Sequence, residues 1–193
     1  GASIIGTREL DKIVEAVESD KPVRFLSLKK LNKAGSVRLH KSNILKISIS
    51  EGCLGACSFC QTRFARGGLY SFPIDDIVHE IKENLRGDLH YSVWLTSQDT
   101  GAYGRDMDRN IVDLLRAVSD ISGKFWARLG MANPNLISQF MDDICSIFKE
   151  SNRFYRFFHL PVQSGSDRVL QGMNRNYTID QYEDLIARIR NRI

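Results

Sequence analysis

The feature that most restricts the fold of this chain is an alternation of strand-like and helix-like segments. Short apolar runs predict strands over residues 23–28, 44–50, 90–96, 124–130 and 154–160. Amphipathic spacing and capping signals predict helices over residues 8–18, 73–86, 108–119, 134–149 and from 178 to the end. This alternation is typical of an α/β domain with a parallel sheet, either a barrel or an open sheet. We therefore expect the chemistry in the loops that follow the carboxyl ends of the strands.

Local signals indicate where three of these helices begin. Ser71 is a candidate cap for the helix over 73–86. Asn133 followed by Pro134 is typical of a capped first turn. Thr178 and the glutamine three residues later have the spacing of a capping box.

Composition narrows the class of protein. With 42% hydrophobic and 26% charged residues, the chain has a globular rather than a disordered composition. No run approaches about 18 consecutive apolar residues, and the first residues lack a signal-peptide pattern, so we expect no membrane association. Four unevenly spaced cysteines do not resemble a disulfide framework, which indicates a reducing, cytoplasmic setting.

The formal net charge of +4 conceals an uneven distribution. Residues 21–50 contain no Asp or Glu, but they contain eight basic residues: Lys21, Arg24, Lys29, Lys30, Lys33, Arg38, Lys41 and Lys46. A solvated surface is one explanation of such a run. A segment this long without an acid favours a polyanionic partner, most commonly phosphate.

Three cysteines occupy one loop after the strand over 44–50: Cys53, Cys57 and Cys60, with Phe59 before the last. Thiolates are soft ligands that suit zinc or iron–sulfur clusters. Structural zinc takes four protein ligands, whereas three in a short loop leave a coordination position open, as a catalytic metal requires. The fourth cysteine, Cys145, lies on the apolar side of a predicted helix, where a buried structural thiol is expected.

The arrangement Cys53-x3-Cys57-x-Phe59-Cys60 resembles the motif of the radical S-adenosylmethionine superfamily. The resemblance implies that the three cysteines hold a 4Fe–4S cluster, whose fourth iron binds the amino and carboxylate groups of S-adenosylmethionine. Phe59 would then lie near the adenine of that cofactor. The resemblance also implies a reductant, such as an electron-donor protein, and cleavage of S-adenosylmethionine to a 5′-deoxyadenosyl radical.

Two further loops carry polar residues at strand ends. Ser97, Gln98 and Asp99 follow the strand over 90–96, in a stretch that is also typical of a simple turn. Their loop is similar to Thr-x-Gln-Asp-Thr-Gly-Ala-Tyr-Gly of methylthiotransferases, which implies contact with S-adenosylmethionine. Arg128 is either a surface charge or a partner for a substrate or cofactor carboxylate, and we count it among the cofactor-binding residues.

The segment after the strand over 154–160 gives a second long match. It reads His-Leu-Pro-Val-Gln-Ser-Gly-Ser from residue 159 and resembles a methylthiotransferase motif. The resemblance implies that Gln163 and Ser164 face S-adenosylmethionine. A helix entry capped by Ser164 or Ser166 is the alternative. The aromatic residues within 154–158 favour a strand core over a base-stacking platform.

Within the methylthiotransferases, these motifs are most similar to the archaeal and eukaryotic branch. The resemblance implies transfer of a methylthio group to C2 of N6-threonylcarbamoyladenosine at position 37 of tRNA, with the basic segment 21–50 against tRNA phosphate. It also implies a partial (βα) barrel with about four of six parallel units, preceded by a linker helix. We expect residues 1–40 to be the tail of an N-terminal domain plus a basic linker, and 41–193 to be an incomplete radical core. A second 4Fe–4S cluster is expected only in the full-length protein, so this chain is expected to hold at most one cluster and not to complete the reaction.

Two alternatives remain open at this point. One is methylthiolation of another target, either isopentenyladenosine in tRNA or a ribosomal-protein aspartate. The other is a non-catalytic, metal-stabilised RNA-binding module. The options that modify a tRNA base predict tRNA binding that weakens steeply with salt, whereas the ribosomal-protein option does not.

Overall fold

The structure is a computed structural model that describes residues 1–27, 43–85, 87 and 89–193. Its strands are β1 (Ile4–Ile5), β2 (Arg24–Phe25), β3 (Ile44–Ser48), β4 (Ser50–Glu51), β5 (Tyr70–Ser71), β6 (Tyr91–Thr96) and β7 (Phe125–Leu129). Its α-helices are α1 (Ile13–Glu18), α2 (Thr62–Arg66), α3 (Ile74–Asn84), α4 (Ile111–Ser119), α5 (Pro134–Ile137), α6 (Met141–Glu150), α7 (Asp167–Gly172) and α8 (Ile179–Arg192). Within these ranges, no helix has the length and apolarity needed to cross a membrane.

The centre of the fold is a parallel sheet in which β6 lies between β3 and β7. The strands of this sheet lie side by side in the order in which they occur along the chain, with α3 and α4 in the connections. This progressive order agrees with part of a barrel. The predicted α/β class and partial barrel are confirmed.

Alternate residues of the sheet face opposite sides. On one side, Leu45, Val93 and Leu95 are fully buried in a single hydrophobic core with the helices. Burial of each such side chain contributes about 1.5–3 kcal/mol to folding. The other side of the same strands is only partly covered. We call it the inner face, since it is the side that a closed barrel encloses.

The prediction of a regular fourth strand over 154–160 is wrong. This segment meets β7 only at two isolated parallel bridges, which pair Ala127 with Phe154 and Met131 with His159. The fourth segment has one more residue between the bridges than the β7 side has, so a continuous ladder cannot form, as at a β-bulge. A tight turn, in which the N–H of Phe157 donates to the carbonyl of Tyr155 at 2.7 Å, takes up the extra residue.

Several predicted helix boundaries shift. Ser71 does not cap a helix but lies in β5, where its hydroxyl accepts the N–H of Gly104 at 2.9 Å. The helix predicted from residue 108 begins at Ile111, because Asn110 forms the capping box. The helix over 134–149 is divided by a 3-10 turn at Ser138–Phe140 into α5 and α6.

Other local predictions are confirmed. Asn133 caps α5, with proline in the first turn, and Thr178 forms the capping box of α8. Cys145 is buried in the core. In the aromatic run, Phe154 stacks on Phe148 with ring centroids 4.6 Å apart, which confirms its place in the core.

The N-terminal residues form a small two-stranded sheet of their own, and the Arg8 guanidinium donates to the carbonyl of Arg66 at the end of α2. The strand predicted over 23–28 is reduced to β2, which pairs in parallel with β1 rather than with the central sheet. The apolar side of α1 is largely uncovered, since Val14 is 61% and Val17 is 78% exposed. The predicted domain boundary after residue 40, and Lys29, Lys30, Lys33, Arg38 and Lys41 of the basic segment, lie outside the described residues.

Candidate functional site

The loops after β6 and β7 are joined by backbone hydrogen bonds at the carboxyl edge of the sheet. The N–H of Gly130 donates to the carbonyl of Leu95, and the N–H of Thr100 donates to that of Met131, both at 2.9 Å. A Cβ atom on Gly130 would lie 2.7 Å from the Leu95 oxygen, so this close approach requires glycine. The two loops therefore form one surface.

A short antiparallel hairpin of β4 and β5 carries the cysteine loop at this edge. The buried carboxylate of Glu51 pairs with the Arg66 guanidinium at 3.0 Å, which ties α2 back to the hairpin. Gly52 begins the loop with a φ of 76°, and a Cβ atom there would lie 2.0 Å from the carbonyl oxygen of Gly68. The first turn of the loop therefore accepts only glycine.

All three loop cysteines line one cavity of about 240 Å³, which we call the cysteine pocket. Its walls are formed by Cys53, Gly55, Ala56, Cys57, Ser58, Cys60, Arg63 and Phe64. The N–H of Gly55 donates to the sulfur of Cys53 at 3.2 Å. A Cβ atom on Gly55 would lie 3.3 Å from the Cys53 sulfur and 3.6 Å from the Cys57 sulfur, so the two sulfurs flank the same point of the backbone.

The environments of the thiols differ. Burial raises the pKa of Cys53, and negative charge on Asp99, Cys57 and Cys60 raises it further, against the hydrogen bond from Gly55. At Cys60, hydrogen bonds from the side chain and the N–H of Thr62 lower the pKa. Deprotonation of Cys60 is therefore favoured at a lower pH than deprotonation of Cys53.

These differences predict the order of alkylation when iron and sulfide are absent. Because the thiolate is the reactive form, iodoacetamide should modify Cys60 before Cys53, and the pH profile of Cys53 should lie on the alkaline side of that of Cys60. Buried Cys145 should react only after unfolding. Peptide mass spectrometry after timed pulses across a pH series measures the three rates. Faster labelling of Cys53 than of Cys60 at neutral pH would contradict this order.

A distant segment docks on the cysteine loop. The N–H of Ser58 donates to the carbonyl of Met173 at 3.1 Å, and its hydroxyl donates to that of Gly172 at 2.9 Å. The side-chain amide of Asn174 donates to the carbonyl of Ala56 at 2.8 Å. These three bonds tie the loop that carries the cysteines to the turn that ends α7.

The next residue of this turn, Arg175, was assigned no role by sequence. Its guanidinium lies over the ring of Phe59, 5.6 Å from the centroid, and its charge lowers the pKa of Cys60. Its Nε is buried without a hydrogen-bond partner among the described residues. The sequence gives one local signal for this turn: Asn174, directly before Arg175, is a residue type that tolerates the positive φ of 55° that it adopts here.

The loop after β6 is organised by Asp99, which is 2% exposed. One carboxylate oxygen accepts the N–H groups of Gly101 and Asn133, both at 3.0 Å, and so links this loop to the one after β7. Burial raises the pKa of Asp99 despite these bonds. Ser97 accepts the N–H of Asp99 at 3.1 Å, whereas the side-chain oxygen of Gln98 is buried without a partner among the described residues.

The other predicted site residues lie at different places. Phe59 is 51% exposed beside the cysteine pocket. Gln163 has a positive φ of 74° and is exposed, and Ser164 accepts the N–H of Ser166 at 3.2 Å. Neither Gln163 nor Ser164 lies in the wall of the cysteine pocket. Arg128 lies on the inner face, between the rings of two aromatic residues.

The cysteine pocket has a donor set that fits an iron–sulfur cluster. Three thiols share one cavity, and the glycine between two of them leaves the space beside the sulfurs open. Within the part of the chain that the structure describes, no three His, Cys, Asp or Glu side chains converge on a single ion. A closed structural zinc site takes four protein ligands, whereas this loop supplies three thiols.

Comparison with known proteins agrees with the motifs. A family profile described as the Radical SAM superfamily matches residues 47–193. A relative from Archaeoglobus fulgidus, named "Probable threonylcarbamoyladenosine tRNA methylthiotransferase", is 42% identical over 98% of this chain and 46% of its own length. The human protein "Threonylcarbamoyladenosine tRNA methylthiotransferase" is 40% identical over 100% of this chain and 35% of its own length. The chain thus spans less than half the length of these curated relatives.

Solved structures support the fold alone. The cobalamin-dependent S-adenosylmethionine radical enzyme OxsB superposes with a TM-score of 0.59 at 13% identity, over 74% of this chain and 21% of that chain. The radical S-adenosylmethionine methyltransferase TsrM from Kitasatospora setae superposes with a TM-score of 0.56 at 16% identity, over 77% of this chain and 29% of that chain. Both similarities agree with the partial barrel seen here.

Proposed function

The chain belongs to the radical SAM superfamily, and from this premise we propose that Cys53, Cys57 and Cys60 hold a 4Fe–4S cluster in the cysteine pocket. The observation that carries the proposal is the shared cavity of the three thiols at the edge where the β6 and β7 loops meet. Three protein ligands leave one iron free for a small molecule. When bound and reduced, the cluster supplies the electron that cleaves S-adenosylmethionine to a 5′-deoxyadenosyl radical.

We place S-adenosylmethionine between the cysteine pocket and the loop after β6. The buried, unpartnered oxygen of Gln98 is an acceptor for its ammonium group, and Ser97 lies beside it in the same loop. The exposed ring of Phe59 offers a surface for the adenine. Asp99 acts by holding the two loops together through its backbone contacts.

Gln163 and Ser164 approach the cofactor from the segment after the bulge in this proposal. They follow His159, which is bridged to Met131 at the end of β7, so their segment begins at the same edge of the sheet. The exposure of Gln163 leaves its amide free to meet a ligand. The positive φ at this residue is a strained conformation for a non-glycine residue, which is common at ligand-binding positions.

The proposed reaction is addition of a methylthio group to C2 of N6-threonylcarbamoyladenosine at position 37 of tRNA. It is supported by the 37–42% identity to proteins named for this activity in archaea and animals. The acid-free segment 21–50 supplies charge for tRNA phosphate, with Lys21 and Arg24 exposed in the described part. A reductant, such as an electron-donor protein, is needed to start each cycle. Four unpaired cysteines agree with a reducing, cytoplasmic location.

We also propose that residues 1–40 are the tail of a further domain and a linker, and that a second 4Fe–4S cluster belongs to the full-length protein. The uncovered apolar side of α1, with Val14 and Val17 exposed, supports a partner surface for this segment.

An anaerobic assay tests the proposed reaction. The protein is loaded with iron and sulfide, reduced, and mixed with S-adenosylmethionine and an anticodon stem-loop RNA that contains N6-threonylcarbamoyladenosine. We expect 5′-deoxyadenosine to form and to increase when this RNA is present. A larger increase with isopentenyladenosine RNA would assign the other base as substrate. No 5′-deoxyadenosine with any RNA would refute the radical chemistry.

A further inference from the structure

A row of three side chains crosses the inner face of the sheet. The strand register pairs Lys46 on β3 with Trp94 on β6, and Trp94 with Arg128 on β7. The Lys46 ammonium lies 6.0 Å from the centre of the Trp94 ring, and the Arg128 guanidinium lies 5.0 Å from it. On its other side, Arg128 lies 4.7 Å from the ring of Phe157, which the bulge brings to this position. The row therefore presents two cations held by aromatic rings.

Neither cation is neutralised by the rest of the described chain. Among the described residues, the Lys46 ammonium and the Arg128 guanidinium have no carboxylate partner and no side-chain hydrogen bond, and their contacts are with aromatic rings. Ring faces attract a guanidinium but accept none of its in-plane N–H groups, of which it has five. The edge of Arg128 is therefore available to a planar anion, for which the guanidinium has matching geometry.

This row is connected to the edge where the cofactor is proposed to bind. Trp94 and Arg128 line a cavity of about 170 Å³, together with Thr96, Ser97, Gly130, Met131 and His159. Ser97 belongs to the loop after β6, so the cavity extends from the inner face to that loop. A base whose C2 atom lies at the edge of the sheet can extend its N6 substituent toward Arg128.

We infer that Arg128 binds the carboxylate of the threonylcarbamoyl group on the substrate base, while Lys46, on the other side of Trp94, adds positive charge to the same face. This assignment rests on the proposed function, and it moves Arg128 from a cofactor-binding to a specificity-determining role. A threonyl substituent carries a free carboxylate, whereas an isopentenyl substituent carries no charge. Two unneutralised cations on a partly covered face favour the charged substituent, because the apolar one would desolvate them without a partner.

Binding of three anticodon stem-loop RNAs to the protein tests this inference. The RNAs carry N6-threonylcarbamoyladenosine, its methyl ester, or N6-isopentenyladenosine at the same position. The wild-type protein should bind the acid roughly ten- to a hundred-fold more tightly than the ester, which is the range expected for a hydrogen-bonded charge. Arg128→Gln should lose this preference by weakening binding of the acid alone. Arg128→Lys, which keeps the charge but not the planar pair of donors, should lose part of it.

Two controls separate this role from folding and from cofactor binding. Arg116→Gln makes the same substitution on the exposed side of α4 and should leave all three affinities unchanged. The affinity of Arg128→Gln for S-adenosylmethionine should equal that of the wild type, since the cofactor carboxylate is the other candidate anion. Equal binding of acid and ester by the wild type would overturn this inference but not the proposed function. Weaker cofactor binding by Arg128→Gln would do the same. Failure of the wild type to bind any of the RNAs would overturn the proposed function as well.

Discussion

Cys57→Ala will abolish iron–sulfur loading and, with it, formation of 5′-deoxyadenosine. The thiol of Cys57 is one of three in the cysteine pocket, and its sulfur flanks Gly55 opposite that of Cys53. Removal of one of three thiolates leaves two irons without protein ligands, so the cluster should not persist. After anaerobic reconstitution, bound iron and the broad visible absorbance of the cluster should both fall to background.

Cys145→Ala is the matched control for this substitution. This thiol is buried on α6 and packs in the core, away from the pocket. The variant should keep the wild-type iron content and absorbance and lose only stability, by about 1 kcal/mol for the small cavity. Retention of iron and cofactor cleavage by Cys57→Ala would contradict the ligand assignment. If the wild-type protein instead bound stoichiometric zinc and no cluster, that result would favour a non-catalytic, metal-stabilised module.

Gly52→Ala should be the most destabilising single methyl addition near the site. A φ of 76° costs a non-glycine residue about 1–3 kcal/mol, and the new Cβ would lie 2.0 Å from the carbonyl oxygen of Gly68. The hairpin of β4 and β5 must open to relieve this clash, because the obstructing atom belongs to the backbone. We expect a loss of more than 3 kcal/mol in the free energy of unfolding, measured by urea denaturation, together with reduced cluster loading.

Gly68→Ala places the same methyl group on the facing side of the same hairpin. A Cβ atom on Gly68 would meet nothing within 4 Å, so its effect should stay within about 0.5–1 kcal/mol. If the two variants unfold at the same urea concentration, the strained turn at Gly52 is not what positions the cysteine loop.

The sequence was sufficient for features that depend on neighbouring residues. The alternation of apolar runs with amphipathic segments predicted a parallel sheet, and β3, β6 and β7 form it because a helix in each connection returns the chain to the same edge. The close spacing of the three cysteines predicted a shared pocket because so short a loop keeps them together. The cap of α5 and the capping box of α8 were predictable because each involves residues no more than three apart.

Features that depend on distant residues could not be predicted. A single extra residue between two bridges converts the expected fourth strand into a bulge, and periodicity carries no record of register. The bond between Asn174 and the carbonyl of Ala56 spans 118 residues, so no local pattern reports it. The role of Ser71 in β5 could not be predicted either, because its partner, the N–H of Gly104, belongs to a loop that only the folded chain brings near.

The position of Lys46 on the inner face is a further feature that the basic run in the sequence did not predict. In the sequence, Lys46 belongs to a basic run, which predicts that it is one more contact for phosphate. In the structure it stands beside Trp94 on the inner face, because its neighbours Leu45 and Ile47 occupy the core side of β3. Its separation from the rest of the run follows from strand alternation.

We propose that this chain carries the radical core of a methylthiotransferase for N6-threonylcarbamoyladenosine. The most direct test is mass spectrometry of nucleosides in tRNA from cells that lack the gene, before and after the gene is restored. We expect N6-threonylcarbamoyladenosine to accumulate without its methylthio group. The wild-type gene should restore the modified nucleoside, whereas a Cys57→Ala gene should not. An unchanged amount of the methylthio nucleoside in the deleted strain, or restoration by Cys57→Ala, would contradict this proposal.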